Sequence, residues 1–144
     1  MIRVYGQPAP QGSKSAFVRG GRAVLVEQSK RVKPWRQAVV EAISRTPSAS
    51  FDEAVVARIT FIMPRPKAHF GSKGGQPYLK QSAPTFVTST PDLDKLLRST
   101  LDGITESGLI IDDKQVVILH SQKRYAAPGE PPGALIHVEP ATAP

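Results

Sequence analysis

The sequence predicts an α+β fold: a small mixed β-sheet with two main helices, in a single domain. Three observations carry this. Two segments of about a dozen residues have apolar side chains at helical spacing, and several others are β-branched or alternate in the manner of strands. Strands and helices do not alternate regularly along the chain, as a doubly wound sheet requires. The chain has 144 residues, the length of one ordinary domain.

Met1 to Tyr5 alternates enough to be a first strand, and 6–15 (GQPAPQGSKS) reads as a loop. Ala16 to Val26 has the form of a hairpin turning at Gly20-Gly21. From Pro34, the residues Trp35, Ala38, Val39, Ala42 and Ile43 fall at i, i+3, i+4, i+7 and i+8, an amphipathic helix with proline in its first turn. Ala54 to Met63 is rich in β-branched residues and reads as a strand. Pro64 to Ser89 is expected to be a long basic loop without regular structure, a kind of segment that is often functional. A second helix is expected from Asp94 to Ser107, with Leu97, Leu101 and Ile104 on one face and Gly108 as its stop. Val116 to Tyr125 and Ala134 to Glu139 complete the set as strands, for a total of four to six.

The chain has no cysteine, which excludes disulfides, cysteine-ligated zinc and a cysteine nucleophile. Neither a long apolar run nor a signal-peptide pattern is present, so a soluble protein of the cytoplasm is expected. Net charge is +7, unevenly distributed. Residues 1–50 carry a balance of +7 and residues 51–91 of +3, whereas residues 92–113 carry −4. A basic body suits a polyanion, because each phosphate contact releases counterions. A solvated basic surface would look the same. The acidic segment is more telling, since carboxylates repel a phosphate backbone unless a cation lies between them.

That segment contains Asp92-Leu93-Asp94 and Asp112-Asp113. Hard divalent cations prefer oxygen donors, and Mg²⁺ is commonly held by one or two carboxylates with water and phosphate. In an extended segment Asp92 and Asp94 project to one side, and a helix followed by a glycine turn permits Asp112-Asp113 to return toward them. The same residues also make a good helix start, with Thr90 as N-cap and Pro91 at the first position. In that case Asp92 and Asp94 diverge by about 200°.

The run PDLDKLLRSTLDGITESGLIIDDKQVV, Pro91 to Val117, resembles the signature of the RusA family of Holliday junction resolvases: Pro-Asp-Leu-Asp, an amphipathic helix with an internal aspartate, a glycine turn, then Asp-Asp-x-Gln-Val. The resemblance covers about a fifth of the chain in detail; a short first strand, a Gly/Pro loop with Lys14 and a Trp-Arg helix agree more loosely. It implies a homodimeric endonuclease that nicks four-way DNA junctions with Mg²⁺, or Mn²⁺ in its place. Asp92, Asp94 and Asp113 would be the metal ligands, Asp112 an acidic neighbour able to orient water, and Asp102 the helix aspartate. Where the family often has a lysine, four residues after the second acid of Asp-x-Asp, this chain has Arg98. Arginine can clamp a phosphate but hardly gives up a proton. Lys95 stands where the family commonly has asparagine and compensates in part.

The expected chemistry is phosphodiester hydrolysis by metal-activated water, with Arg98 or Lys95 offsetting transition-state charge. A two-fold dimer offers two sites to a two-fold junction. Lys14, Arg19, Arg22, Lys30, Arg31, Lys33, Arg36, Lys67, Lys73 and Lys80 are candidate backbone contacts. Phe70 and Tyr78 are candidates for base stacking, while Trp35 at helical spacing belongs to the core. His69, His120 and His137 show no metal spacing, and Ser13, Ser15 and Ser29 lack a base partner. Rival readings are a non-catalytic nucleic-acid-binding protein, a metal nuclease for flaps or single strands, and a basic assembly protein.

Overall fold

The computed structural model describes residues 1–12, 14–27 and 30–144, and the side chains of these except 14–19 and 22–27. Its centre is a four-stranded mixed sheet of β1 (Ile2–Tyr5), β4 (Val55–Met63), β7 (Val116–Tyr125) and β8 (Gly133–Pro140), in the order β1-β8-β4-β7. β8 pairs antiparallel with β1 and β4, whereas β4 pairs parallel with β7. Two hairpins stand apart from this sheet: β2 (Lys14–Arg19) with β3 (Arg22–Glu27), and β5 (Phe70–Lys73) with β6 (Gln76–Leu79).

The α+β expectation therefore holds, with more strands than the four to six foreseen. The excess comes largely from 64–89, read from sequence as structureless. It contains β5 and β6, which pair around the Gly74-Gly75 turn. Each arm is only four residues long and neither alternates apolar with polar, so the period-two signal is missing.

Helices α1 (Val32–Ser44) and α2 (Leu93–Glu106) pack on each other, with α1 against β1 and α2 against β7. α1 buries Val32, Trp35, Val39 and Ile43, a stripe at helical spacing. It begins two residues before Pro34, which still lies in the first turn, where no backbone donor is needed. α2 buries Leu96, Ser99, Thr100, Gly103 and Ile104, while Leu97 and Leu101 are only partly covered. Small and polar residues sit at the centre of this stripe because α1 comes close there. Their polar groups are satisfied: Trp35 Nε1 donates to Thr100 Oγ1 at 3.0 Å, and Ser99 Oγ donates to the Ala9 carbonyl at 2.6 Å. Gly108, with φ +84°, ends the α2 region as expected.

Strand β4 is central and turns one wholly apolar face, with Val55, Ile59, Phe61 and Met63, toward the helices, while its other face carries Arg58 and Thr60 between Val56 and Ile62. Gly133 opens β8 where any side chain would collide, since a Cβ there would lie 1.9 Å from the Val4 carbonyl oxygen. β7 forms one edge of the sheet and leaves Val117, Ile118 and Leu119 substantially exposed. Among the described residues, no helix is long and apolar enough to cross a membrane.

Candidate active site

Helix α2 carries an acid pair at each end. At its start Asp92 is the N-cap, in extended conformation after a cis Thr90–Pro91 peptide, and Asp94 lies in the first turn. The helix thus begins two residues later than a Pro91 start would have it. Both carboxylates are solvent-exposed at the positive end of the helix dipole. Asp92 makes no side-chain cap bond and instead faces Lys95 Nζ at 3.8 Å. Lys123, from β7, holds the incoming strand: its Nζ donates to the carbonyls of Ser89 at 2.7 Å and Pro91 at 2.9 Å. Arg98 stands one turn beyond Asp94 and packs beside Gly12, where a Cβ would meet its Nη1 at 2.7 Å.

At the other end the chain turns at Gly108 and is fixed by Phe51, whose N–H donates to the Leu109 carbonyl at 2.8 Å. Asp112 then caps a short 3₁₀ turn (Asp113–Gln115), accepting from the Lys114 N–H at 2.9 Å. Gln115 is the clamp. Its Oε1 accepts from the N–H groups of Ile111 and Asp112, and its Nε2 donates to the carbonyls of Phe51 and Glu53. Asp113 turns inward and accepts from the Thr105 hydroxyl.

Asp112 and Asp113 share an open pocket of about 370 Å³ with Arg36, Asp102, Thr105 and Glu106. Asp102 pairs with Arg36 Nη1 of α1 at 3.8 Å rather than with Arg98 of its own helix. Arg36 Nε is buried there without a hydrogen-bond partner. Thr105 and Glu106 were not singled out from sequence, and Gln115 only as a member of the Asp-Asp-x-Gln-Val run. For Glu106 a signal exists, since it lies four residues after Asp102 and so on the same helix face.

The two acid pairs do not meet within one chain. Thr105, which bonds Asp113, is thirteen residues beyond Asp92, so the pairs stand roughly 20 Å apart along the helix axis. Among the described residues no three His, Cys, Asp or Glu side chains converge as a metal-binding group. Each end does offer two hard oxygen donors, a set that suits Mg²⁺ with water and phosphate as remaining ligands. The return of Asp112-Asp113 to the start of the helix, which the glycine turn permits, is not what this fold does.

Lys30, Arg31 and Lys33 are exposed at the start of α1, with Lys33 beside Arg36 in an adjoining groove. Lys67, Lys73 and Lys80 are exposed on or beside the β5–β6 hairpin. The side chains of Lys14, Arg19 and Arg22 lie outside the described residues, as do Ser13, Ser29 and the side chain of Ser15. Trp35 is core, as its spacing indicated. His120 and His137 are nearer than their sequence separation suggests, since both flank Arg58 across the sheet, and His137 pairs with Glu139.

No curated protein matches the chain. A family model does: residues 6–139 match endodeoxyribonuclease RusA. The match takes in both helices, both acid pairs and three of the four strands of the sheet. The chain belongs to the RusA family of endodeoxyribonucleases, which are Holliday junction resolvases.

Proposed function

We propose that this protein resolves four-way DNA junctions by paired, Mg²⁺-dependent nicks, acting as a homodimer whose two sites each draw on both protomers. The observation that carries this reading is the placement of the acid pairs at opposite ends of α2. One chain supplies two half-sites, and a two-fold mate supplies the missing halves. The free edge of β7 suggests how. Lys123, late in β7, holds the start of α2, while Asp113 immediately precedes β7 near the end of α2, so helix and strand run in opposite directions. Antiparallel pairing of two β7 edges would cover Val117, Ile118 and Leu119. It would also bring Asp92 and Asp94 of one protomer toward Asp112 and Asp113 of its mate.

In this reading Asp92, Asp94 and Asp113 hold the ion, and Thr105 fixes the rotamer of Asp113 through its hydroxyl. A bound Mg²⁺ would polarise the scissile phosphate and lower the pKa of water. Asp112, with one oxygen engaged by the Lys114 N–H, presents its other oxygen to orient that water. Arg98 and Lys95 lie one turn from the first acids, where a cation offsets charge on the phosphorane. Arg36 does the same at the second pair: it is held only loosely by Asp102 and can turn to a phosphate oxygen. The remaining basic residues track the backbone without reading sequence.

The test is a labelled four-way junction beside a matched duplex and a splayed strand, with Mg²⁺, Mn²⁺ or EDTA, and with Asp92→Asn as control. Paired nicks confined to the junction, absent with EDTA or the variant, are expected. Cutting that favours flaps or single strands would replace the resolvase reading with another nuclease. Binding without cutting would leave a DNA-binding module.

A further inference from the structure

A second pocket, of about 490 Å³, lies between the β5–β6 hairpin and the turn joining β7 to β8. Its walls are largely apolar and include Pro64, Phe70, Pro77 and Tyr78 on one side and Pro128 and Pro132 on the other. The volume falls in the range of about 300–1,000 Å³ typical of small-ligand sites. The pocket is built in advance. Arg65 stacks on the Tyr125 ring, 4.3 Å from its centroid, and its Nη1 donates to the Pro84 carbonyl at 2.8 Å, tying the hairpin to the sheet. Tyr78 lies across Gly71, where a Cβ would come within 2.5 Å of its ring, so its orientation is set although the side chain is 51 % exposed.

Charge indicates what such a pocket takes. From Ala54 to Pro91 the chain has five Lys or Arg and no acidic residue. Glu130, the carboxylate in the pocket wall, is fully engaged by the two Nη groups of Arg124 at 2.7 and 2.9 Å. Fixed aromatic and apolar surface on a hairpin that ends β5 at Lys73 and is flanked along the chain by Lys67 and Lys80 is the chemistry of single-stranded nucleic acid binding, in which bases stack while cations follow the backbone. The pocket also sits at the end of the sheet where α2 begins. β4 and β7 finish at Met63 and Tyr125, and Lys123 near the end of β7 bonds the carbonyls of Ser89 and Pro91, just before Asp92.

We propose that this pocket receives an unstacked base from a DNA strand whose neighbouring phosphate lies at the Asp92–Asp94 end of the site. In the open form of a four-way junction the pairs at the crossover lack a stacking neighbour on one side, whereas those inside an intact duplex do not. The proposal rests on the nuclease reading and adds to it a means of telling a branch point from continuous duplex.

The experiment measures anisotropy of a labelled oligothymidine, a four-way junction and a matched duplex in EDTA, with wild-type protein, Tyr78→Ala and Tyr78→Phe. Amide shifts are mapped on adding the oligothymidine. Loss of one base stack predicts about 5- to 150-fold weaker binding of oligothymidine and junction by Tyr78→Ala. Unchanged duplex binding, near wild-type behaviour of Tyr78→Phe and shifts at Phe70, Tyr78 and Leu79 are expected with it. Wild-type affinity in Tyr78→Ala, equal loss on duplex, no shifts at the hairpin, or a proline-rich peptide filling the pocket without displacing DNA would each overturn the proposal. If wild-type protein nicks the junction while Tyr78→Ala binds it normally, only the pocket assignment fails. If wild-type protein neither binds nor cuts DNA, the nuclease reading fails with it.

Discussion

Two inactive variants should restore each other. Asp92→Asn disables one end of α2 and Asp113→Asn the other, ends that are roughly 20 Å apart in a single chain. If each site combines the start of one protomer's α2 with the far end of its mate's, a mixed dimer contains one site with both lesions and one with neither. Free exchange of an equimolar mixture makes about half the dimers mixed. Intact sites should therefore reach about a quarter of the wild-type number. The products should be single nicks, because a mixed dimer has only one working site. The assay is nicking of a cruciform-bearing supercoiled plasmid, scored as open-circle against linear product, after the variants are co-incubated under conditions that permit exchange. Sites built within one chain would carry a lesion in every case, and the mixture would stay as inactive as its components. That result, with exchange verified by differently tagged subunits, would refute the shared site.

Other consequences concern the scaffold. Gly103→Val would place side-chain atoms against Val39, which would lie only 3.0 Å from a Cβ at this position, and should destabilise the fold by about 2–3 kcal/mol. In a thermal melt this is a fall of about 5–10 °C, and an unchanged Tm would contradict the close helix contact. Trp35→Phe removes the donor to Thr100 and part of a buried ring, costing about 1–3 kcal/mol by urea denaturation. Trp35 is the chain's single tryptophan, so far-UV circular dichroism is the appropriate probe. The Arg124 guanidinium, and secondarily the Ala127 N–H, hold the Glu130 carboxyl down to about 2 from its ordinary 4.5. A depressed folded-state value means that the pair's stabilisation is complete above about pH 4.5 and disappears as pH falls toward 2. Glu130→Gln should accordingly be less stable than wild type at neutral pH and converge with it in acid; a gap independent of pH would argue against the ion pair.

The core was legible because its signals are local. Trp35, Val39 and Ile43 repeat at helical spacing, and β4 announces itself through β-branched residues. The β5–β6 hairpin was not legible, since its short arms carry Gly71 and Pro77 where alternation would be read. The acid pairs were recognisable as residues but not as an arrangement. Spacing gives the length of the connecting helix, yet says nothing of whether the segment after Gly108 folds back along it. Here Phe51 and Gln115 anchor that segment at the far end, through contacts about sixty residues apart in sequence. Asp102 illustrates the same limit: its partner comes from another helix, although a suitable arginine stands four residues away on its own.

Placing the acid pairs at the two ends of one continuous helix makes α2 a ruler. In a two-fold assembly of the kind proposed, the distance between the two cutting centres would be set by the number of residues between Asp94 and Gly108 rather than by any loop. Four added residues would lengthen that span by about 6 Å and turn one end by about 40° relative to the other. Insertions that surface loops absorb easily should therefore be poorly tolerated here, and cut spacing on the branched substrate becomes a property inherited from helix geometry.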